Sequence, residues 1–262
     1  MRTLTKIFLA SISVAFIAVK WNTPTFEPES LRGARVLVTG REKVLQQVVE
    51  KCLSLGAQKA LYIAGDMATE SDPDKVVEFS LEKLGGLDYL VLNHIGPTPF
   101  SMWKGDIEHT RWLMQVNFFS YVQMAWKALP SLEQSKGSLV IVSSLLGKLA
   151  GPFTAPYTST KFAVNGFFGS LQHELAMNNS NVSLSICTLG LIDTDSAMEK
   201  VRDVIDLPAA PATEAALNII KTGSTRQAEL YYPWNTYIVS LTKDWIPAAT
   251  NYIIRNAYNY IP

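Results

Sequence analysis

Six short apolar runs, separated by stretches of helical period, most narrow what this chain can become. They are Arg35 to Thr39 (RVLVT), Lys59 to Ala64, Leu87 to Leu92, Ser138 to Val142, Val182 to Leu189 and Glu229 to Tyr232. Each is the length of a strand, and their β-branched, near-continuous apolar character suits strands buried on both faces of a parallel sheet. Between them, Glu42 to Leu55, Pro73 to Leu84, Ile107 to Leu132, Ala155 to Met177 and Pro211 to Gly223 read as helices. Strands alternating with helices predict an α/β protein with a doubly wound parallel sheet, in which Glu229 to Tyr232 lies at an edge. In such sheets ligands bind beyond the carboxyl ends of the strands. The turns after the runs are therefore the places to look for chemistry.

A chain of 262 residues is one domain with short appendages, and ample for a sizeable core. Lys and Arg total 23 against 23 Asp and Glu, so nothing in the charge balance points to nucleic acid. Cys52 and Cys187 lie in apolar contexts and read as buried thiols. His94, His109 and His173 are scattered without metal-ligand spacing, and no metal site is predicted.

Arg2 and Lys6 precede an apolar run from Ile7 to Val19 that stops at Lys20. The run is short for a membrane span and suits a signal-peptide core or a short signal anchor over residues 1–20. Asn-x-Ser sequons at Asn178 and Asn181 fit a secretory or lumenal destination, with glycosylation. Residues 21–33 read as a linker and 34–233 as the α/β domain. Residues 234–262, rich in Trp, Tyr and Ile, read as a helical segment. It either packs on the core or offers a surface to a membrane or a second subunit.

The stretch SSLLGKLAGPFTAPYTSTK, Ser143 to Lys161, carries the densest chemistry. If Pro156 opens a helix, Tyr157 and Lys161 lie one turn apart on one face. An ammonium so placed is expected to lower the phenol pKa from about 10 toward neutrality, fitting Tyr157 for proton transfer. Ser144, at the end of a strand, can hydrogen-bond the same substrate oxygen. Asn117, flanked by apolar residues inside a helix, needs partners for its amide. Asp66, with Met67 after it, follows the second run and can bond an adenine amino group or cap a turn. Asn93, His94 and Ile95 form a polar turn at a strand's carboxyl end. Gly190, Leu191, Ile192 and Thr194 offer free amides and a hydroxyl after the fifth run. No G-x-S-x-G elbow surrounds Ser143 or Ser144, which argues against a serine hydrolase.

Taken in order, the strand ending Thr39-Gly40, Asn93-x-x-Gly96, Asn117, Ser144, Tyr157-x-x-x-Lys161 and Gly190-x-x-x-Thr194 resemble the short-chain dehydrogenase/reductase family. YIAGDM, GGLDYLVLNHIG, KFAVNGFFGSL and LGLIDT resemble its 11β-hydroxysteroid dehydrogenase branch. The resemblance implies a Rossmann-like fold. It also implies hydride transfer between NADP(H) and a carbonyl or secondary alcohol of a steroid or related lipid, in a homodimer. It makes Tyr157 the general acid or base, and Lys161 the holder of the nicotinamide ribose. Ser144 positions the substrate oxygen, and Asn117 keeps a proton-relay water. Thr39 and Gly40 begin the dinucleotide site. Asp66, Met67, Asn93, His94 and Ile95 line its adenosine side, and Gly190 to Thr194 meet the nicotinamide amide. The departure is at Gly40. The family pattern TGxxxGxG calls for two more glycines, a helix and a second strand. Here Gly40 runs into Arg41-Glu42-Lys43. A unit of about 28 residues is absent by that pattern, so the sheet is expected to be one strand short. Lys59 to Ala64 must then sit beside Arg35 to Thr39 or leave a gap. Two functions follow: the oxidoreductase, favoured here, or a catalytically silent chain without a competent cofactor site.

Overall fold

In a computed structural model of the chain, residues 25–40, 42–201 and 204–259 are described. The apolar run Ile7–Val19 and Arg41 fall outside them. Residues 25–31 contribute a short 3-10 turn, Pro28–Leu31, and the α/β unit begins at Arg32. The order is β1 (Arg35–Thr39), α1 (Glu42–Ser54), β2 (Lys59–Ile63), α2 (Asp72–Leu84), β3 (Tyr89–Leu92), α3 (Ile107–Met114), α4 (Ser120–Ser135), β4 (Ser138–Ser144), α5 (Ala155–Met177), β5 (Ser183–Leu189), α6 (Asp195–Val201), α7 (Ala212–Ser224), β6 (Glu229–Tyr232), α8 (Asn235–Trp245) and α9 (Pro247–Asn256). Six parallel strands alternating with helices make the fold Rossmann-like, as the sequence predicts.

The sheet is divided. β3, β4, β5 and β6 form one hydrogen-bonded sheet in that order, and β1 and β2 form another. β2 therefore lies directly beside β1, in register from Arg35 against Lys59 to Thr39 against Ile63. The absent strand is compensated by pairing β1 with β2, and neither of them is hydrogen-bonded to the four-stranded sheet.

Burial follows this division. β4 is buried on both faces, from Leu139 to Val142, and β5 nearly so. β3 is sealed on one face only: Leu92 is fully buried, whereas Val91 is 47% exposed. α7 packs on β4, β5 and β6, and α1 on β1 and β2. The outer face of β3 lies between them. On the other face α2, α4 and α5 cover the sheet. Tyr121, Met124, Ala128, Leu132, Val164 and Phe168 pack there against Leu92, Leu139 and Ile141. At about 25 cal/mol per Å2 of buried apolar surface, this cluster is the main source of stability.

The local signals explain the elements. α2 ends at Gly85, whose φ of 77° is the left-handed conformation glycine adopts without strain. Pro156 stands in the first turn of α5, where its missing N–H costs nothing. The long pattern from Ile107 to Leu132 is interrupted by a π-helical segment, Gln115–Phe119, between α3 and α4. Such segments gather at functional sites, and this one carries Asn117. The C-terminal segment forms α8 and α9. No helix among the described residues is long and apolar enough to cross a membrane.

Candidate active site

β4 delivers Ser143 and Ser144 to its carboxyl end, and α5 returns beside it. Four residues apart on α5, Tyr157 and Lys161 face the same cavity, one turn from each other. Three bonds fix this helix to the strand. Lys161 Nζ donates to the Val142 carbonyl at 3.0 Å. Asn165 Nδ2 donates to Ser143 Oγ at 3.0 Å. The Ser144 hydroxyl bonds the Tyr157 phenol. Ser144 Oγ also accepts from Leu146 N at 3.1 Å, so the serine is oriented from both sides. The approach of α5 to the turn after β4 is close. A Cβ on Gly147 would lie 2.1 Å from Asn165 Nδ2 and 2.7 Å from the Lys161 carbonyl oxygen.

Asn117 is fully buried and both ends of its amide are used. Its Oδ1 accepts from Gly96 N at 2.7 Å and its Nδ2 donates to Thr160 Oγ1 at 3.2 Å. The π-helical segment thus ties the turn after β3 to the helix of Tyr157. Asn117 does not line the cavity. Its partners are backbone and threonine, which makes it a brace between two walls of the site.

The pKa values run opposite to the expectation for the pair. Burial pushes Tyr157 up to about 12, and the bond from Ser144 only partly offsets this. Burial also pushes Lys161 down to about 7. With Nζ 5.8 Å from the Tyr157 ring centroid, the lysine does not bring the phenol toward neutrality. Desolvation outweighs the charge in both groups, because each charged form loses its hydration. Tyr157 is therefore held as a phenol, a proton donor, and Lys161 is the group that exchanges a proton near cellular pH. His94 is pushed down to about 4, first by burial and then by the nearby Lys161 charge, so its ring is neutral.

One cavity of about 440 Å3 gathers most of the expected residues. Asn93, Ile95, Ser144, Tyr157, Lys161, Gly190, Leu191, Ile192 and Thr194 all line it. Six other expected residues lie outside its lining. His94 bonds Ser120 Oγ at 2.7 Å and sits edge-on to Tyr121. Asp66 turns back on its own loop, its Oδ1 accepting from Ala68 N at 3.0 Å and its amide donating to Asp72 Oδ2. Met67 is buried in the hydrophobic core. Asn117 braces the walls, and Thr39 and Gly40 end β1 beside β2. The sequence did not single out Thr160, Asn165 or the apolar wall formed by Phe100, Leu149, Ile205, Leu207, Val239 and Tyr258. Thr160 and Asn165 were legible in principle, lying on the Tyr157 face of the helix at i+3 and i+8.

A dinucleotide fits this site in one half. The nicotinamide side has Tyr157, Lys161 and the amides and hydroxyl of Gly190 to Thr194, and Asn93 and Ile95, expected on the adenosine side, line the same cavity. The phosphate side does not fit. α1 starts at Glu42, two residues after Gly40, and no glycine-rich turn stands between them. The buried Thr39 hydroxyl has no hydrogen-bond partner there, but one hydroxyl is not a cradle for two phosphates.

The fold and this site define the class: the chain belongs to the short chain dehydrogenase family, whose pattern matches residues 30–204. Among individual relatives, it is similar to the hydroxysteroid 11-beta-dehydrogenase 1-like protein of Danio rerio, 58% identical over 287 residues, covering 100% of both chains. The protein of the same name from Gallus gallus is 50% identical over 99% of both chains. That from Homo sapiens is 47% identical over 78% of this chain and 73% of its own. The Danio rerio alignment spans 287 positions against 262 residues here, leaving at least 25 positions unmatched in this chain. In fold, the chain is similar to a short chain dehydrogenase/reductase from Burkholderia phymatum in complex with NAD. That match has TM-score 0.70 and 16% identity, over 91% of this chain and 100% of that one. It is also similar to a blue fluorescent protein from a metagenomic library in complex with NADPH. Here the TM-score is 0.66 and the identity 20%, over 77% and 97%.

Proposed function

We propose that this chain is an oxidoreductase acting on a carbonyl or secondary alcohol of an apolar molecule of steroid or lipid size. NADP(H) is the hydride partner, held by its nicotinamide half alone. The observation that carries the reading is the cavity itself. Ser144 and Tyr157 share its wall with a predominantly apolar lining, a few polar groups in an otherwise greasy pocket. Bound there, the nicotinamide supplies or accepts the hydride.

The chain's own residues handle the oxygen and the proton. Ser144 fixes the substrate oxygen within reach of the phenol. Tyr157, held protonated, donates to the oxygen as a carbonyl becomes an alcohol, and takes the proton back in the reverse direction. Lys161, with its pKa near 7, is the group that replaces that proton. The apolar walls exclude water and strengthen these bonds.

The phosphate half sets the limit. Losing several charge-assisted contacts costs several kcal/mol, a factor of about a thousand or more in affinity. Turnover is therefore confined to cofactor concentrations far above those that saturate a complete site. Steady-state turnover of a ketosteroid, followed against NADPH concentration, tests this. A rate that climbs without saturating into the millimolar range, and is lost in Tyr157→Phe, fits the reading. Equal activity in the Phe variant refutes it. The second reading, a silent chain, is favoured by the immediate start of α1 after Gly40. It predicts no turnover at any cofactor concentration.

Exposed Trp234, Trp245 and Tyr252 (76%, 84% and 64%) support the expectation of a membrane or second-subunit surface along α8 and α9. Entry to the secretory pathway rests on the N-terminal run and the exposed sequons at Asn178 and Asn181.

A further inference from the structure

Thr160, fully buried, stands between Asn117 and the backbone of Tyr157. Its hydroxyl accepts from Asn117 Nδ2 at 3.2 Å and donates to the Tyr157 carbonyl at 2.7 Å. At the other end of the Asn117 amide, Oδ1 accepts from Gly96 N at 2.7 Å. These three bonds run unbroken from the turn after β3, through the π-helical segment, to the first turn of α5. The turn after β3 carries Asn93 and Ile95, which line the cavity, and the first turn of α5 carries the phenol. Thr160 itself lies outside the cavity lining.

The first turn of α5 needs such a tie. The ends of helices fray unless their orphan groups are held. The N-cap Thr154 makes no side-chain bond to a helix amide. Its hydroxyl goes instead to the Gly151 carbonyl and to the Thr158 hydroxyl. Ser144 is fixed separately, by its place in β4 and by Leu146 N at 3.1 Å. Lys161 has its own bond to the Val142 carbonyl. We propose that Thr160 is a positioning residue: through Asn117 it locks the backbone of Tyr157 to the turn after β3, and so holds the phenol where Ser144 presents the substrate oxygen. The proposal rests on the oxidoreductase reading of the cavity. It adds that a group outside the cavity wall sets the place of the proton donor.

The test is steady-state reduction of androstanedione by the full chain at a fixed millimolar NADPH concentration, with the steroid varied and rates expressed per folded chain. Thr160→Val keeps the shape and removes the hydroxyl, whereas Thr160→Ser keeps the hydroxyl. The Val variant should lose about tenfold in apparent kcat with the steroid KM within about twofold, because Ser144 still holds the substrate oxygen. The Ser variant should recover kcat to within about threefold of the parent. Should the Val variant not fold, Thr160→Ala, read in the same way, takes its place. Equal losses in the Val and Ser variants, or a raised KM at unchanged kcat, overturn the positioning role while leaving the cavity reading intact. So does a Val variant that melts earlier but turns over at the parent rate. Absence of androstanedione turnover by the parent chain overturns the oxidoreductase reading, and this proposal with it.

Discussion

Lys161 should weaken the fold it serves. The residue is 1% exposed, and among its three donors one bond is formed, to the Val142 carbonyl. Burial lowers its pKa from an ordinary 10.5 to about 7. At ~1.36 kcal/mol for each tenfold change, that difference corresponds to ~5 kcal/mol against the charged form. The folded state therefore binds this proton less readily than the unfolded chain. The penalty is absent above pH 10.5, grows as pH falls, and is complete below about 7.

Lys161→Met keeps the length and removes the charge. Against the ~5 kcal/mol stand ~1 kcal/mol for the orphaned Val142 carbonyl. The lost contacts with the Tyr121 and Tyr157 rings, at 5.4 and 5.8 Å, take a further ~1 kcal/mol. The variant should be more stable than the parent by ~2–3 kcal/mol near pH 6, and equal or slightly less stable near pH 10, while losing activity. Urea denaturation at the two pH values reads this directly. A variant less stable near pH 6, or a difference independent of pH, would refute the argument that desolvation governs this residue.

Three further outcomes follow from the geometry. Tyr157→Phe removes the phenol hydroxyl together with its bond from Ser144, so turnover should fall by about 10²–10⁴ while urea denaturation shows a loss of no more than ~1 kcal/mol. Asn117→Ala strands the Gly96 amide and removes one donor from the Thr160 hydroxyl, which keeps its bond to the Tyr157 carbonyl; thermal denaturation should show a loss of ~1–3 kcal/mol. Gly147→Ala forces a Cβ onto Asn165 and the Lys161 backbone, so ~1–3 kcal/mol of stability and most of the activity should go together. An active, fully stable Gly147→Ala chain would contradict the packing described for α5.

The alternation of strands and helices was legible because each apolar run has the length and turn its element needs. So was the grouping of Ser144, Tyr157 and Lys161 on one cavity, because they take their places from local structure: a strand end and one helical turn. The pKa order was not legible. Spacing alone reports that an ammonium is near a phenol, whereas burial, which reverses the outcome, depends on Tyr121 and Val142 arriving from other elements of the fold. Asp66 and His94 show the same limit. Their positions at strand ends suit a ligand, but Asp66 is taken up by its own turn and His94 by Ser120. The shortened turn after Gly40 was visible as missing glycines. That β2 would pair with β1 while the sheet opened beside β3 depends on which edges meet, and no run of residues states that by itself.

The central claim is that the carbonyl-binding half of the site is built while the phosphate-binding half is missing. Titration of the full chain with NADPH, followed by nucleotide fluorescence, tests it most directly. The account predicts a dissociation constant in the millimolar range, about a thousandfold weaker than a complete site. Saturable binding at micromolar NADPH would contradict it.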